Sequence, residues 1–291
     1  MSAIAVCNEM ICIGSSNGMV RVLWPPTGML QHVLVSIADD DLRPDEIHAL
    51  AVWWDLLISA HSSGKLCVWD VADGSCVQII QGPDKVNALA VCGPLLSCGI
   101  GDKKNTDEEV CIGVFRMLPS DPWRHHLDLV GQTGNIWSLA GFEENMVVSG
   151  SDSSIDVWDA EAGKHVAALA GHSGPVHALV VNKNRLLSAS DDRTIRLWAL
   201  GTWEGLQTVQ AYAEDTGMYP FCLAVFGSKL LSGSRCTDDE EPVSELQVWG
   251  LAELDLQQTL LEDADITALV VVDGEVWGAL DTDVAVWGLT P

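Results

Sequence analysis

The sequence has few basic residues. It contains 15 Lys and Arg against 41 Asp and Glu in 291 residues, which gives a formal net charge of −26. Such a surface repels nucleic acid and anionic lipid and attracts basic partners. We therefore expect no binding to nucleic acid or membrane, and we expect Lys/Arg-rich segments of other proteins among the partners.

Long apolar runs and paired cysteines are also missing. No stretch approaches 18 uninterrupted apolar residues, and the N-terminus MSAIAVCNEM lacks the positive and apolar regions of a signal peptide. The nine cysteines are an odd set without a CxxC pair, so neither a zinc site nor a disulfide framework is indicated. We expect a soluble cytoplasmic protein, with the nucleus left open, whose cysteines are reduced and mostly buried.

Motifs for catalysis and cofactor binding are absent too. The sequence contains no P-loop, dinucleotide fingerprint or kinase signature. GSSNG at 14–18 fits a nucleophile elbow only formally, because the strand-like segment MVRVLW follows where a helix is required. We predict no enzyme, no catalytic residue, no metal site and no cofactor.

What the sequence does contain is a repeat. An aromatic residue closes an alternating segment every 38 to 51 residues, at Trp24, Trp69, Phe115, Trp158, Trp198, Trp249 and Trp287. Before each aromatic come an apolar segment such as VHALVV and a small-residue segment such as RLLSASD, and a turn and a fourth segment follow it. Four short strands predict one antiparallel sheet per repeat. Because such sheets are not stable alone, they must pack face to face.

The repeat resembles the WD40 family over essentially the whole chain. Its fifth copy, GHSGPVHALVVNKNRLLSASDDRTIRLW at 171–198, carries the family's Gly-His pair, small-residue strand, turn aspartate and tryptophan. The resemblance implies an all-β fold, a seven-bladed β-propeller of four-stranded antiparallel blades. It also implies a hydrogen-bonded tetrad formed by His172, Ser188, Asp192 and Trp198.

Other copies of this tetrad are incomplete. The fourth copy keeps Ser149, Asp152 and Trp158 but has Gln132 in place of the histidine, and the second has Ser63 at the aspartate position. Phe115 replaces tryptophan in the third copy, so that blade loses the indole donor and keeps an apolar side chain.

The repeats predict a single domain over 1–291. The approximate blades are 1–36, 46–80, 84–129, 134–170, 171–210, 218–261 and 264–291. The last blade has only three strands, and no segment at either end supplies the fourth. We expect either a ring that closes by packing alone or a fragment of a longer chain.

More than half of the acidic residues lie in two kinds of loop. One kind joins the fourth strand of a blade to the first strand of the next (D–A), and the other joins the second and third strands (B–C). The most acidic of these loops are 38–46, 101–109, 213–217, 235–241 and 262–265. One interpretation is that charged residues collect in loops because loops are exposed to solvent. Alternatively, they form an acidic funnel that draws in a basic peptide.

The resemblance implies that the D–A/B–C face is the peptide-binding face. By position, the candidate contacts are His48, Asn87, Trp137, His177, Asp191, Cys222 and Thr267, together with the acidic loop residues Asp238, Asp239, Glu240 and Glu241. Trp137 is the best anchor among them, although packing between blades would also explain it.

The predicted function is a non-enzymatic scaffold that binds partner proteins or basic peptides on this face, as a monomer or within a larger complex. The alternative is the substrate-recognition propeller of an F-box or RING ubiquitin ligase, because similar propellers with LLSGS and TIRLW strands occur in such subunits.

Overall fold

The computed structural model describes residues 3–25, 27–36, 45–82, 85–101, 110–118, 122–132, 134–213, 215–237, 244–280 and 283–289, with the backbone alone at 110 and 111. Within these ranges the chain forms 27 strands in seven antiparallel sheets, six of four strands and a last one of three. The predicted all-β, seven-bladed propeller with a three-stranded last blade is therefore confirmed. No helical segment in the same ranges is long and apolar enough to cross a membrane.

Each sheet takes consecutive strands in chain order. The first three sheets consist of β1 (Ala3–Cys7), β2 (Met10–Gly14), β3 (Met19–Trp24) and β4 (Met29–Val35); β5 (Ile47–Trp53), β6 (Leu56–His61), β7 (Lys65–Asp70) and β8 (Ser75–Gln81); β9 (Val86–Cys92), β10 (Leu95–Ile100), β11 (Val110–Arg116) and β12 (Arg124–Gln132). The fourth and fifth consist of β13 (Ser138–Phe142), β14 (Met146–Gly150), β15 (Ile155–Asp159) and β16 (Lys164–Leu169); β17 (Val176–Asn182), β18 (Arg185–Ser190), β19 (Thr194–Ala199) and β20 (Gly205–Gln210). The last two consist of β21 (Met218–Phe226), β22 (Lys229–Cys236), β23 (Ser244–Gly250) and β24 (Leu256–Glu262); β25 (Ile266–Val272), β26 (Glu275–Leu280) and β27 (Val284–Trp287).

Burial within each sheet explains the composition of its strands. The second strands, such as β10 and β18, are buried almost throughout, and small and apolar residues such as LLSCGI and RLLSAS fill both of their faces. The fourth strands, such as β4 and β20, are largely exposed. Runs of small apolar residues therefore mark the interior strands, because both faces of these strands pack against other residues.

The chain divides into two compact units. The first comprises Met1–Ser149 and Asp156–Val166, and the second comprises Gly150–Ile155 and Ala167–Pro291. In the first unit, one hydrophobic cluster joins the second and third sheets through Trp53, Leu66, Phe115, Met117 and Trp123. In the second unit, another cluster joins the fifth and sixth sheets through Leu187, Leu197, Tyr212, Leu230 and Trp249. A single domain over 1–291 stays a prediction.

In five sheets the repeating aromatic keeps a fixed register against the second strand. Trp198 pairs with Leu186, Trp249 with Leu230, Trp69 with Leu57, Phe115 with Leu96 and Trp287 with Val276. In the first sheet the corresponding pair is Leu23 and Ile11. Trp24 is the next residue and is 43% exposed, so its prediction as the repeat aromatic was wrong. Successive side chains of a strand point to opposite faces, and a one-residue error therefore moves the residue to the other side.

A β-bulge begins the first strand of at least five sheets. In each case the register shifts by one residue near the start of the strand. The extra residues are His48, Asn87, His177, Phe221 and Thr267. Because a bulged residue has no cross-strand partner, its side chain is aimed independently of the ladder.

Candidate functional site

Four side chains of the fifth sheet form a continuous hydrogen-bonded chain. Trp198 Nε1 donates to Ser188 Oγ at 2.9 Å, and Ser188 Oγ lies 2.7 Å from His172 Nε2. His172 Nδ1 lies 2.8 Å from Asp192 Oδ2. Since a carboxylate only accepts, Nδ1 carries a proton, and in the neutral imidazole Nε2 then accepts the proton of the Ser188 hydroxyl. The structure thus brings together the four residues that the resemblance implied.

Asp192 connects this chain to the two loops beside it. Its carboxylate also accepts hydrogen bonds from the Ser173 amide at 3.0 Å and from Thr194 Oγ1 at 2.6 Å. Burial raises the pKa of the Asp192 carboxyl, but the hydrogen bonds from His172 and Thr194 outweigh burial and leave this pKa well below its ordinary value. Asp192 is therefore held as a carboxylate that fixes the D–A loop against the B–C turn.

The second sheet builds the same chain from different positions. Trp69 Nε1 donates to Ser59 Oγ at 2.9 Å, and Ser59 Oγ lies 2.9 Å from Nε2 of His61, two residues later on the same strand. His61 Nδ1 lies 3.1 Å from the backbone oxygen of Asp45. Asp45 also binds Ser63, whose hydroxyl donates to Oδ2 at 2.7 Å. Here the histidine comes from the end of the second strand and the carboxylate from the D–A loop, whereas in the fifth sheet the histidine is in the D–A loop and the carboxylate in the B–C turn. The sequence comparison missed this exchange.

The fourth and third sheets shorten or replace this chain of hydrogen bonds. In the fourth sheet, Trp158 Nε1 donates to Ser149 Oγ at 2.8 Å, and Ser149 donates to Gln132 Oε1 at 2.5 Å. In the third sheet, Cys98 is at the serine position and shares a hydrophobic cluster with Phe115. Burial raises the pKa of the Cys98 thiol above its ordinary value. The donor and its acceptor have been lost together there, so no indole N–H is left unsatisfied.

In the second and fifth sheets the polar side chains of these hydrogen-bonded chains are occupied by one another, and they hold loops in place. Eight cysteines with described side chains are free thiols. No cluster of three or more His, Cys, Asp or Glu suited to a metal occurs in the part of the chain that the structure describes. A site that recognises something else must therefore be sought at the loop ends of the sheets.

Such a site lies at the loop end of the second unit, around the bulged residue His177. Its Nε2 lies 2.7 Å from Asp191 Oδ1. The imidazole is 4.9 Å from the Phe221 ring and 5.6 Å from the Tyr219 ring, between centroids. Arg235 places its guanidinium carbon 4.8 Å from the centroid of Phe221. We call His177, Asp191, Tyr219, Phe221 and Arg235 the aromatic cluster.

Two carboxylates interact with the charged and polar groups of the aromatic cluster: Asp191 belongs to the cluster, and Asp265 binds its Arg235. Arg235 Nε donates to Asp265 Oδ2 at 3.1 Å, while Asp265 Oδ1 accepts from the Cys236 amide and from Ser244 Oγ. Asp265 is buried, whereas the Asp191 side chain is 38% exposed. Burial raises the pKa of the Tyr219 phenol, and the charge of Arg235 opposes that rise. Asp191 is the carboxylate that solvent and a partner can reach.

The predicted contact residues of the second unit divide into three groups. His177 and Asp191 lie together in the aromatic cluster. Thr267 is buried and donates to the Ala279 backbone oxygen at 3.0 Å. Cys222 was the wrong choice: its thiol is buried, 3.3 Å from the Ile266 backbone oxygen, and Phe221 occupies the bulge position. The two residues are adjacent apolar residues, and only the bulge shows which of them takes that position.

The structure also adds members that the sequence did not indicate. Tyr219 contacts His177, Arg235 contacts Phe221, and Asp265 binds Arg235. No sequence motif marks these three residues. An aromatic pair at alternate positions, Tyr219 and Phe221, was the one available signal.

The first unit holds the other predicted contacts. His48 and Asn87 are bulged residues of intermediate burial, and Trp137 is partly buried just before β13. Burial lowers the pKa of the His48 imidazole, and the charge of Lys85 lowers it further. Asn87 Nδ2 donates to the Ile136 backbone oxygen at 3.5 Å. Asp238, Asp239, Glu240 and Glu241 lie outside the described residues.

Comparison with known proteins agrees with this geometry. Residues 163–199, which include all four residues of the complete tetrad, match the family model described as WD40: WD domain, G-beta repeat. A chain in the crystal structure of the mitotic checkpoint complex matches 99% of this chain and 87% of its own length with a TM-score of 0.80. The chain is a β-propeller, and its residues 163–199 are similar to a WD40 repeat. At 15% identity, the structural match shows the fold alone.

Relatives of this propeller differ in their names. It is 32% identical over 174 residues to the zinc finger CCCH domain-containing protein 17 of Oryza sativa subsp. japonica, covering 58% of this chain and 37% of that protein. It is 27% identical over 152 residues to THO complex subunit 6 of Homo sapiens, covering 48% of this chain and 43% of that protein. The matches thus span less than half of each relative.

Proposed function

We propose that the chain is a non-enzymatic scaffold that binds other proteins, and that the aromatic cluster of its second unit receives a Lys/Arg-bearing segment. The match to the WD40 repeat model supports the first part. The THO complex subunit is named as a member of an assembly, and we propose likewise that this propeller works within a multi-protein complex.

The pair formed by Asp191 and His177 is the observation that carries the binding site. His177 holds Oδ1 of the carboxylate, while Oδ2 has no hydrogen-bond partner among the described residues. A carboxylate that is fixed and half satisfied can accept a lysine or arginine without losing side-chain entropy. The neighbouring Tyr219 and Phe221 rings supply apolar area for the stem of that side chain.

The surrounding charge favours the same ligand. Exposed carboxylates at the loop ends of the second unit include Asp191, Asp215, Asp263 and Asp283. Opposing them are Arg193 and Arg235, and Arg235 is bound by Asp265. A net negative loop end attracts a basic peptide and speeds its approach. Added salt screens this attraction and weakens it.

The test is the affinity of a fluorescein-labelled ten-residue peptide with four lysines, measured by anisotropy at 50 and 300 mM NaCl. We expect Asp191→Asn to weaken binding about two- to five-fold at low salt, which corresponds to the value of an exposed ion pair. High salt should weaken binding to the unmodified chain and reduce the difference between the two proteins.

Asp273→Asn is the matched control. Asp273 is an exposed aspartate of the second unit with φ 51°, which asparagine tolerates, and it lies in the turn between β25 and β26. The Asp273→Asn substitution removes one negative charge, as Asp191→Asn does, but at the opposite end of the strands. If both variants weaken binding equally, the effect is one of general charge and the proposed site is overturned. The proposed site is also overturned if the affinity does not change with NaCl concentration.

A further inference from the structure

Trp54 is the most exposed large hydrophobic residue in the described part of the chain. It begins the two-residue turn between β5 and β6, and 74% of its surface is accessible. Its backbone has φ 56°, in the left-handed region. Bulky side chains rarely adopt this conformation. The turns at the same place in other sheets contain Asn8, Lys183 and Asp273, which are smaller or more flexible residues.

The indole of Trp54 is held on one face and open on the other. It stacks on Trp53 with centroids 5.3 Å apart and an interplanar angle of 23°. Trp53 is buried, meets Trp123 edge to face at 5.4 Å and donates from Nε1 to the Gly93 backbone oxygen at 3.2 Å. Trp54 makes no other ring contact or hydrogen bond with a described residue. The pair is therefore a rigid platform with one free aromatic face.

The charges around this platform are mainly negative on the side of the second sheet. Asp55 follows Trp54 in the turn, and Asp70 is the register partner of Leu56, the next residue. Burial raises the pKa of the Cys7 thiol, and the charges of both carboxylates raise it further. On the adjoining third sheet, the positive charge of Arg116 is paired with Glu161, whose two carboxylate oxygens each accept a hydrogen bond from it at 2.6 Å.

We propose that Trp54 is a second docking site, at the end of the strands opposite the D–A and B–C loops, where an arginine or lysine of a partner protein stacks on the open indole face beside Asp55. Tryptophan is the aromatic residue that binds cations best through its ring face. The adjacent carboxylate distinguishes a cation from a purely apolar partner. An exposed tryptophan on a pre-organised support is also the type of residue that dominates interface energy.

The site is independent of the proposed peptide site in the second unit, and its test must report on Trp54 alone. Protein labelled with ¹⁵N in its tryptophan indoles gives one resonance per indole, and Trp54→Phe assigns the relevant one. The probes are a ten-residue peptide of glycine, serine and two arginines, and the same peptide with citrulline at both positions. Citrulline keeps the shape of arginine and removes the charge.

We expect the arginine peptide to shift the Trp54 resonance and the citrulline peptide to shift it less than one third as far. Trp54→Asn should weaken the arginine peptide at least three-fold and Asp55→Asn about two-fold. Trp24→Ala, which removes another exposed indole of the same unit, should leave the affinity unchanged. Equal shifts by both peptides, or unchanged affinity in Trp54→Asn, would overturn the proposal.

A stability measurement separates binding from packing. Asparagine accepts a positive φ more readily than tryptophan does, so Trp54→Asn should raise the melting temperature while it weakens binding. A lower melting temperature would show that Trp54 serves packing and would also overturn the proposal. Asp191→Asn should not change the Trp54 shift, which keeps the outcome distinct from that of the site in the second unit.

Discussion

Ser188 and Ser97 are both fully buried on second strands, but only Ser188 is hydrogen-bonded. Ser188 Oγ accepts from Trp198 and contacts His172, whereas Ser97 Oγ has no partner among the described residues. Removing a hydroxyl that satisfies two buried groups leaves both of them unpaired, and removing one that satisfies none relieves a desolvation penalty. Replacing the two serines by alanine should therefore change the free energy of unfolding in opposite directions.

We predict that Ser188→Ala lowers the free energy of unfolding by about 1–3 kcal/mol. Ser97→Ala should leave it unchanged or raise it slightly. Urea denaturation followed by tryptophan fluorescence measures both variants against the unmodified chain. An equal loss in the two variants would mean that the tetrad adds nothing beyond filling space.

At the level of the sheet, the third blade shows two coupled replacements. Cys98 and Phe115 replace the serine and tryptophan of the complete tetrad, and both are buried in one cluster. Phe115→Trp alone buries an indole N–H with no acceptor, which is costly. Adding Cys98→Ser supplies that acceptor.

A double-mutant cycle tests this coupling. We expect Phe115→Trp to destabilise the protein, and the Cys98→Ser, Phe115→Trp pair to recover about 1 kcal/mol relative to the sum of the single changes. The steric cost of the larger ring is common to both arms and cancels. Additive single changes would show that the hydrogen bond does not form in this blade.

The sheet is also the scale at which sequence prediction succeeded. Alternating and small-residue runs predicted the strands, because burial of one or both faces imposes those patterns. Sequence prediction failed where either of two adjacent apolar residues could take one position of the repeat, as with Leu23 and Trp24 and with Phe221 and Cys222. Register and bulges decide between them, and neither leaves a mark in the local pattern.

The candidate site was predictable only in part. His177 and Asp191 follow from their position in the repeat, but Arg235 and Asp265 come from segments whose contact depends on how sheets pack. His61 was missed for a similar reason. It replaces a loop histidine by a strand histidine, so aligned positions do not reveal the shared chain of hydrogen bonds.

For the whole molecule, the dominant quantity is its net charge of −26. Self-repulsion among surface carboxylates opposes the compact state, and salt screens it. We predict that raising NaCl from 10 to 150 mM increases the melting temperature by roughly 2–4 °C, equivalent to about 1 kcal/mol for a chain of this size. Sucrose at the same osmolality is the control for solvent effects, and a melting temperature unaffected by salt would contradict the prediction.

The bulges at the start of the first strands free certain residues from cross-strand pairing. A residue inside a ladder must suit its cross-strand neighbours, whereas His48, Asn87, His177, Phe221 and Thr267 stand outside it. These five positions already hold imidazole, amide, phenyl and hydroxyl groups on one type of backbone. Selection can therefore rewrite what such a surface recognises without redesigning the sheets, and an engineer can exchange the same positions between propellers.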